Sequence, residues 1–231
     1  MAQRFITGNR GIATSLLETV VVIAIVAVIS SVAMVSAMEK LEDAKMSRAN
    51  ADAETIAVSI HSFMQDTGFP PVFKSGDARG PDDPFFSVLE TQGSNPGIAD
   101  SLHWPAKVEE HERLENQLVN NRPSILATPP GAPYPRMGEI SWSRSRGRKG
   151  PYVATMQSSD PWDNKYFVNV QMLSPKGIAN AKETLGLVLG TGQRPAVFVV
   201  SAGPNRQLET RFDQVSDAFA AGGDDVVFRI Q

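Results

Sequence analysis

An unbroken apolar run, Thr19 to Met38 (TVVVIAIVAVISSVAMVSAM), constrains this chain more than any other feature. In a helix, at about 1.5 Å of rise per residue, such a run covers roughly 30 Å, the thickness of a bilayer's hydrocarbon core. It reads as a membrane-crossing helix. A single carboxylate, Glu18, stands at its mouth. An ionisable group beside lipid costs free energy unless it reaches water or a partner of opposite charge, so its position points to function.

The preceding Met1 to Ala13 (MAQRFITGNRGIA) carries Arg4 and Arg10 and no acid. Basic residues before a first span hold that end in the cytoplasm and send the C-terminal bulk outward. A cleaved secretory signal is the competing reading. Its core would be shorter, about 7 to 15 apolar residues, and would end at a small-residue site; Ala33 to Ala37 (AMVSA) offers a mimic of one.

The stretch Thr14 to Ile29 (TSLLETVVVIAIVAVI) resembles the N-terminus of type IV pilin-like proteins. The resemblance implies that a prepilin peptidase removes the basic leader, usually after Gly, and that the mature helix carries Glu at its fifth position. Glu18 is fifth if Thr14 becomes the first residue and Ala13 precedes the cut. A cut after Gly11 restores the glycine, starts the chain at Ile12 and makes Glu18 seventh. The first register is preferred because amine-to-carboxylate spacing governs the electrostatics, and both bonds stay open. In the family this carboxylate is thought to meet the N-terminal amine of a neighbouring subunit inside a bundle of apolar helices. A buried ion pair adds little net stability, but leaving it unpaired is strongly penalised, so Glu18 would set the stagger between copies. The plain alternative is a hydrated glutamate favoured by the helix N-terminal dipole.

Helical periodicity continues past the span. Met34, Met38, Leu41, Lys45, Ala49, Ala53, Ile56, Ile60 and Phe63 recur at three- or four-residue steps, with acids and amides on other faces. This predicts one long helix from about residue 15 to 66, stopped by Gly68 with Pro70 and Pro71 beyond. Where pilins often carry a helix-interrupting proline this chain has Val35, so an uninterrupted helix is expected. Between Pro70 and Pro151 lie 12 of the 16 prolines, which argues for mostly loop. Within it, Lys107 to Arg122 reads as a short amphipathic helix and Phe85 to Glu90 as a helical turn. After Gly150 the β-branched and aromatic runs Tyr152 to Met156, Lys165 to Met172, Ala196 to Ser201 and Val226 to Ile230 predict a small antiparallel sheet against the long helix.

The expected fold is α+β. Residues 1–13 form a leader, 14–38 a transmembrane and polymerisation helix, 39–71 its soluble half and exit turn, 72–149 a Pro/Gly-rich insertion with a short helix, and 150–231 a sheet and C-terminal loop.

The segments HSFMQDTGFPP (from His61), GPYV (from Gly150), DPWDNKY (from Asp160), SAGPN and GDDV resemble the major pseudopilin of type II secretion systems. One departure is Asp163, where that family usually has glycine after the tryptophan. The resemblance implies a type IV pilin-like fold and a self-polymerising structural subunit in the bacterial inner membrane, N-terminus cytoplasmic and C-terminal region periplasmic. Its implied partners are prepilin peptidase, minor pseudopilins, a membrane platform and an assembly ATPase. It also implies a structural calcium in the last loop, with Asn205, Asp224 and Asp225 as the matching ligands and an amide replacing one carboxylate. Solvated turn-forming acids, Asp213 and Asp217 among them, are the alternative to a metal site. A major pilin of a surface filament and a signal-anchored periplasmic domain that never polymerises are the alternative functions.

Chemistry is poorly represented. The chain has no cysteine, which excludes thiol catalysis and disulfides. His111-Glu112 begins HExxH, but position 115 is Glu115. Gly190 and Gly192 start a dinucleotide fingerprint that Pro195 breaks. The basic run Ser143 to Lys149 (SRSRGRK) raises a nucleic-acid reading, against which stand the net charge of −3 and the lack of stacking aromatics beyond Trp142. A solvated loop or a salt bridge to another subunit fits it better.

Overall fold

The computed structural model describes residues 10–72, 86–105, 111–122, 134, 146–154 and 158–230, with residues 10–15 described for their backbone alone. The chain divides into two units, Met1–Ala44 and Lys45–Gln231. Helix α1, Arg10–Thr67, runs through both without a break. No proline or glycine lies between Ile12 and Thr67 to interrupt its ladder.

In the first unit the described helix surface is bare. Its large apolar side chains are exposed all round, from 48% at Val21 to 69% at Leu17. Ser31 satisfies its hydroxyl locally by donating to the Val28 carbonyl at 2.8 Å.

In the second unit α1 becomes a packed helix. The stripe Ala49, Ala53, Ile56, Ile60 and Phe63 is fully or almost fully buried. The helix stops where the sequence indicates. Gly68 takes φ +78°, its N–H bonds the Met64 carbonyl at 2.9 Å, and the Thr67 hydroxyl donates to Phe63 O at 2.7 Å.

A five-stranded sheet lies against this half of α1. Its strands are β1 (Val88–Glu90), β3 (His111–Arg113), β4 (Tyr166–Val168), β5 (Phe198–Ser201) and β7 (Val226–Arg229), in the order β3-β1-β4-β5-β7. A separate two-stranded piece pairs β2 (Gly97–Ile98) with β6 (Gln207–Leu208). Register explains why the central strands are apolar on consecutive residues. Leu89, Val168, Val199 and Phe228 stand opposite one another across four strands and join the α1 stripe in one core. Phe167, Val200 and Val227 form the next row and point to a second core with Trp104, Phe212 and Leu208. A sheet covered on both faces needs apolar residues at both phases of the pleat. Helix α3 (Pro175–Thr184) contributes Ala181 and Ile178 to that second core.

Several expectations are corrected. The sheet is mixed, because β1 and β3 run parallel. The insertion is not only loop: it supplies both of those strands. Val88–Glu90 is extended where a helical turn was expected, because Val88 and Leu89 serve opposite cores. Of the helix expected over Lys107 to Arg122, residues 107–110 lie outside the described residues, His111–Arg113 is strand, and Leu114–Leu118 is helical (α2). Residues 152–154 form no strand. Lys165–Met172 is extended only over β4, then turns as a 3-10 helix at Val170–Leu173. The basic run is partly consumed by the fold. Arg148 donates to the Leu118 and Val119 carbonyls at 3.0 and 2.8 Å, closing the end of α2, and Lys149 pairs with Asp66 at 2.6 Å.

Candidate functional site

Two places carry the features that the sequence singles out. The first is the bare segment of α1. Gly11, Ala13 and Thr14 lie within its first turns, and their side chains fall outside the described residues. Glu18 is exposed, and the apolar side chains from Leu16 to Leu41 surround the helix on every side. Val21, Ala24, Ile25, Val28 and Ile29 line a shallow strip at three- and four-residue steps, with Ala24 as its low point. By length and composition α1 is compatible with a membrane anchor.

The second is the C-terminal loop beside the DPWDN turn. Asp160 is 4% exposed and accepts four bonds. Its Oδ1 takes the Trp162 and Asn164 N–H groups at 2.9 and 2.7 Å. Its Oδ2 takes Asn164 Nδ2 at 3.0 Å and the Ser201 hydroxyl at 2.5 Å. A buried carboxylate with four donors is satisfied, so Asp160 holds the turn. Trp162 then packs on Ala49 and Val226. Asp163 sits at φ +71°, which gives a backbone reason for glycine at that position in the resembling family.

From Asn164, Nδ2 reaches the Gly203 carbonyl at 3.1 Å and ties the turn to the last loop. Gly203 has φ +62°, and a Cβ there would collide with the Asp224 carbonyl oxygen. Asn205 and Asp224 are brought together: the Asn205 N–H donates to Asp224 Oδ2 at 3.1 Å. The Asn205 side chain is committed elsewhere, with Oδ1 accepting from Gln207 N at 2.6 Å and Nδ2 donating to Glu209 at 3.0 Å. Asp225 Oδ2 accepts from the Glu209 and Thr210 N–H groups at 2.9 and 2.6 Å. Asp224 Oδ1 and Asp225 Oδ1 are buried with no hydrogen-bond donor. No group of three or more His, Cys, Asp or Glu side chains poised for a metal occurs among the described residues.

No family model, curated protein or solved structure matches the chain.

The remaining loop acids are placed differently. Asp213 is held by Arg211, at 3.1 and 3.0 Å, and by His103 Nδ1 at 3.0 Å. Burial pushes its carboxyl up, but the bonds from Arg211 and His103 outweigh this and keep it below the ordinary carboxylate range. Asp217 is exposed in the 3-10 turn Ser216–Ala218. Glu209, which reading the sequence does not single out, joins the Asn205 cluster because β6 feeds directly into it. The two are four residues apart; what local pattern does not announce is the bond from the Glu209 N–H to Asp225, sixteen residues on.

Asp225 has a measurable consequence. Burial, only partly offset by the Thr210 and Glu209 bonds, pushes its carboxyl from 3.8 to about 6. The folded state thus binds the proton more tightly than the unfolded chain. In the presence of a chelator, the contribution of Asp225 to stability should be full below about pH 4 and be lost as pH rises through about 6. The loss is at most roughly 2–3 kcal/mol once residual solvent screening is allowed for. Asp225→Asn keeps an acceptor for both N–H groups and carries no charge, so it should flatten that slope. Urea unfolding of the full chain in detergent micelles across this pH range measures both.

Proposed function

We propose that this protein is a structural subunit of a type II secretion pseudopilus. It would be inserted in the bacterial inner membrane through residues 14–38, with the N-terminus cytoplasmic and the folded unit periplasmic. Prepilin peptidase would trim its leader, and copies would polymerise through the N-terminal helix. A membrane platform, minor pseudopilins and an assembly ATPase would drive the filament in support of protein export.

The observation that carries this reading is Glu18 at the entrance of a helix whose apolar side chains are exposed on all sides while the same helix continues into a folded unit. Such a surface is solvated by lipid or by copies of itself, and the acid needs a positive partner once water is gone. The DPWDN turn with φ > 0 after its tryptophan and the glycine-dependent last loop agree with the family resemblance; the proline-free span departs from it.

Calcium fits this loop through two residues. Asp224 and Asp225 each keep a buried carboxylate oxygen without a donor, the kind of hard oxygen ligand calcium takes. Asn205 contributes less than its position suggests, since its amide oxygen already accepts a backbone bond. When bound, the cation would neutralise charge there; Asp224 and Asp225 would hold it, and Gly203 would let the two loop ends approach.

Mass spectrometry of the N-terminus, from cells with and without prepilin peptidase, tests the assignment. A product that begins at Thr14 or Ile12 with a methylated amine, seen only with the peptidase, is the expected result. An intact Met1, or a cut after Ala37, overturns it in favour of an anchored or secreted domain. Deletion of the gene should abolish export rather than surface filaments; the reverse outcome assigns the chain to a surface pilus.

A further inference from the structure

His111 opens the edge strand β3, and both of its ring nitrogens face acceptors. Nδ1 lies 3.0 Å from Glu90 Oε2, and Nε2 lies 2.8 Å from the Pro105 carbonyl oxygen. Neither partner can donate. A neutral imidazole has one N–H and one lone pair, so it serves only one of the two and turns its lone pair toward the other; the imidazolium has two N–H groups and serves both. The geometry around the ring is that of the protonated form.

The surroundings explain how a charge is tolerated there. His111 and Glu90 side chains are 15% and 12% exposed. Glu90, on β1, also meets Lys165 Nζ at 2.8 Å, just before β4, and Arg113 Nε at 3.9 Å, on β3 itself. The Phe167 ring stands edge-on to the imidazole at 6.2 Å. Among the described residues these are the charged groups facing the ring. Burial pushes the Glu90 carboxyl up, but the bonds from His111 and Lys165 outweigh it and hold the group below the usual carboxylate range, so the carboxylate persists in mild acid. Strand β3 is short and, among the described residues, joins the sheet through β1 alone. The ring therefore bonds the neighbouring strand on one side and, on the other, the segment that leads into its own.

We propose that His111 is a proton-operated clasp on the sheet edge: protonated, it binds Glu90 and Pro105 together and secures β3 to β1; deprotonated, it gives up one of the two anchors and loosens that edge. The sign follows from the bonds. The stabilisation is present at low pH and is lost as pH rises and the ring gives up its proton.

Native-state hydrogen exchange on the full chain in detergent micelles tests it. Protection of the amides in Val88–Glu90 and His111–Arg113, corrected for intrinsic exchange, is compared at about pH 5.5 and about pH 8.5. In the wild type it should fall by about tenfold, the loss of one charge-assisted hydrogen bond. In His111→Gln, which cannot titrate, any fall should match that of the Phe198–Ser201 amides, the part that Asp225 imposes on the whole fold, while His61→Gln and His103→Gln should behave as wild type. A wild-type fall of less than about threefold, or an equal fall in His111→Gln, overturns the proposal. Ring-nitrogen NMR of the unmodified protein gives a reading that depends on no variant. Two bonded N–H groups at the lower pH and one at the higher support the clasp, and a ring unchanged across the range overturns it.

Discussion

Replacing Glu18 with Ala should leave the protein in the membrane and all but abolish its filaments. The apolar run that drives insertion begins one residue later and is untouched. In the filament proposed above, removing Glu18 would strand its partner, the amine of a neighbouring copy, at a cost of about 3–5 kcal/mol per contact, roughly a hundredfold or more in each association step. Along a polymer that penalty recurs at every subunit. Sheared-filament yield, beside carbonate extraction as the measure of insertion, reads the two effects separately. Glu18→Gln should be nearly as poor as Ala, because the loss is one of charge. Wild-type filament yield from either variant would sink both the pairing rule and the functional reading built on it.

Phe63→Ala should cost the folded unit about 3–5 kcal/mol, enough to threaten its folding at physiological temperature. Phe63 is fully buried near the end of α1. Its ring meets Tyr134 and Tyr152 edge-on, with centroids at 4.9 and 5.5 Å. These contacts attach two segments distant in sequence to one helix face, so the cavity cannot collapse by a local shift. Chemical unfolding of the full chain in micelles should show the loss. Phe63→Leu, which keeps most of the apolar volume, should lose clearly less; equal losses would mean that the aromatic contacts, not the volume, dominate the site.

Much of the helical half was legible because its determinants are local. Periodicity from Ala49 to Phe63 marked the buried stripe, and Gly68 followed by two prolines marked its end. Helix α3 was legible in principle and was missed: Ser174 accepts from Gly177 N and Pro175 occupies the first turn, the start signal expected of a helix. The strand region was partly legible. The run Phe198 to Ser201 is β-rich whichever way it is read, whereas Val88–Glu90 and His111–Arg113 are three-residue strands whose conformation comes from their neighbours. Short segments have too little intrinsic preference to choose strand over turn, and burial between two cores chooses for them.

The functional positions divide in the same way. Glu18 can be found by reading along the chain, because its meaning is the contrast between one acid and the apolar residues beside it. The last loop is different: its acids are visible in sequence, but which oxygens are already bonded is not. Asp160 is satisfied by four donors, Asp213 belongs to Arg211 and His103, and only Asp224 and Asp225 keep a buried oxygen unmatched.

By itself, then, the amino-acid order determined the span, its single acid, the long helix and the glycine that ends it, since each depends on residues within a few positions of one another. Tertiary structure alone decided the parallel β1–β3 pair, the recruitment of the insertion into the sheet, and the meeting of Glu90, His111 and Lys165. Those depend on closing loops of many residues, and the free energy that closes them comes from two cores filled from both faces of the sheet, a property of the assembled fold rather than of any segment.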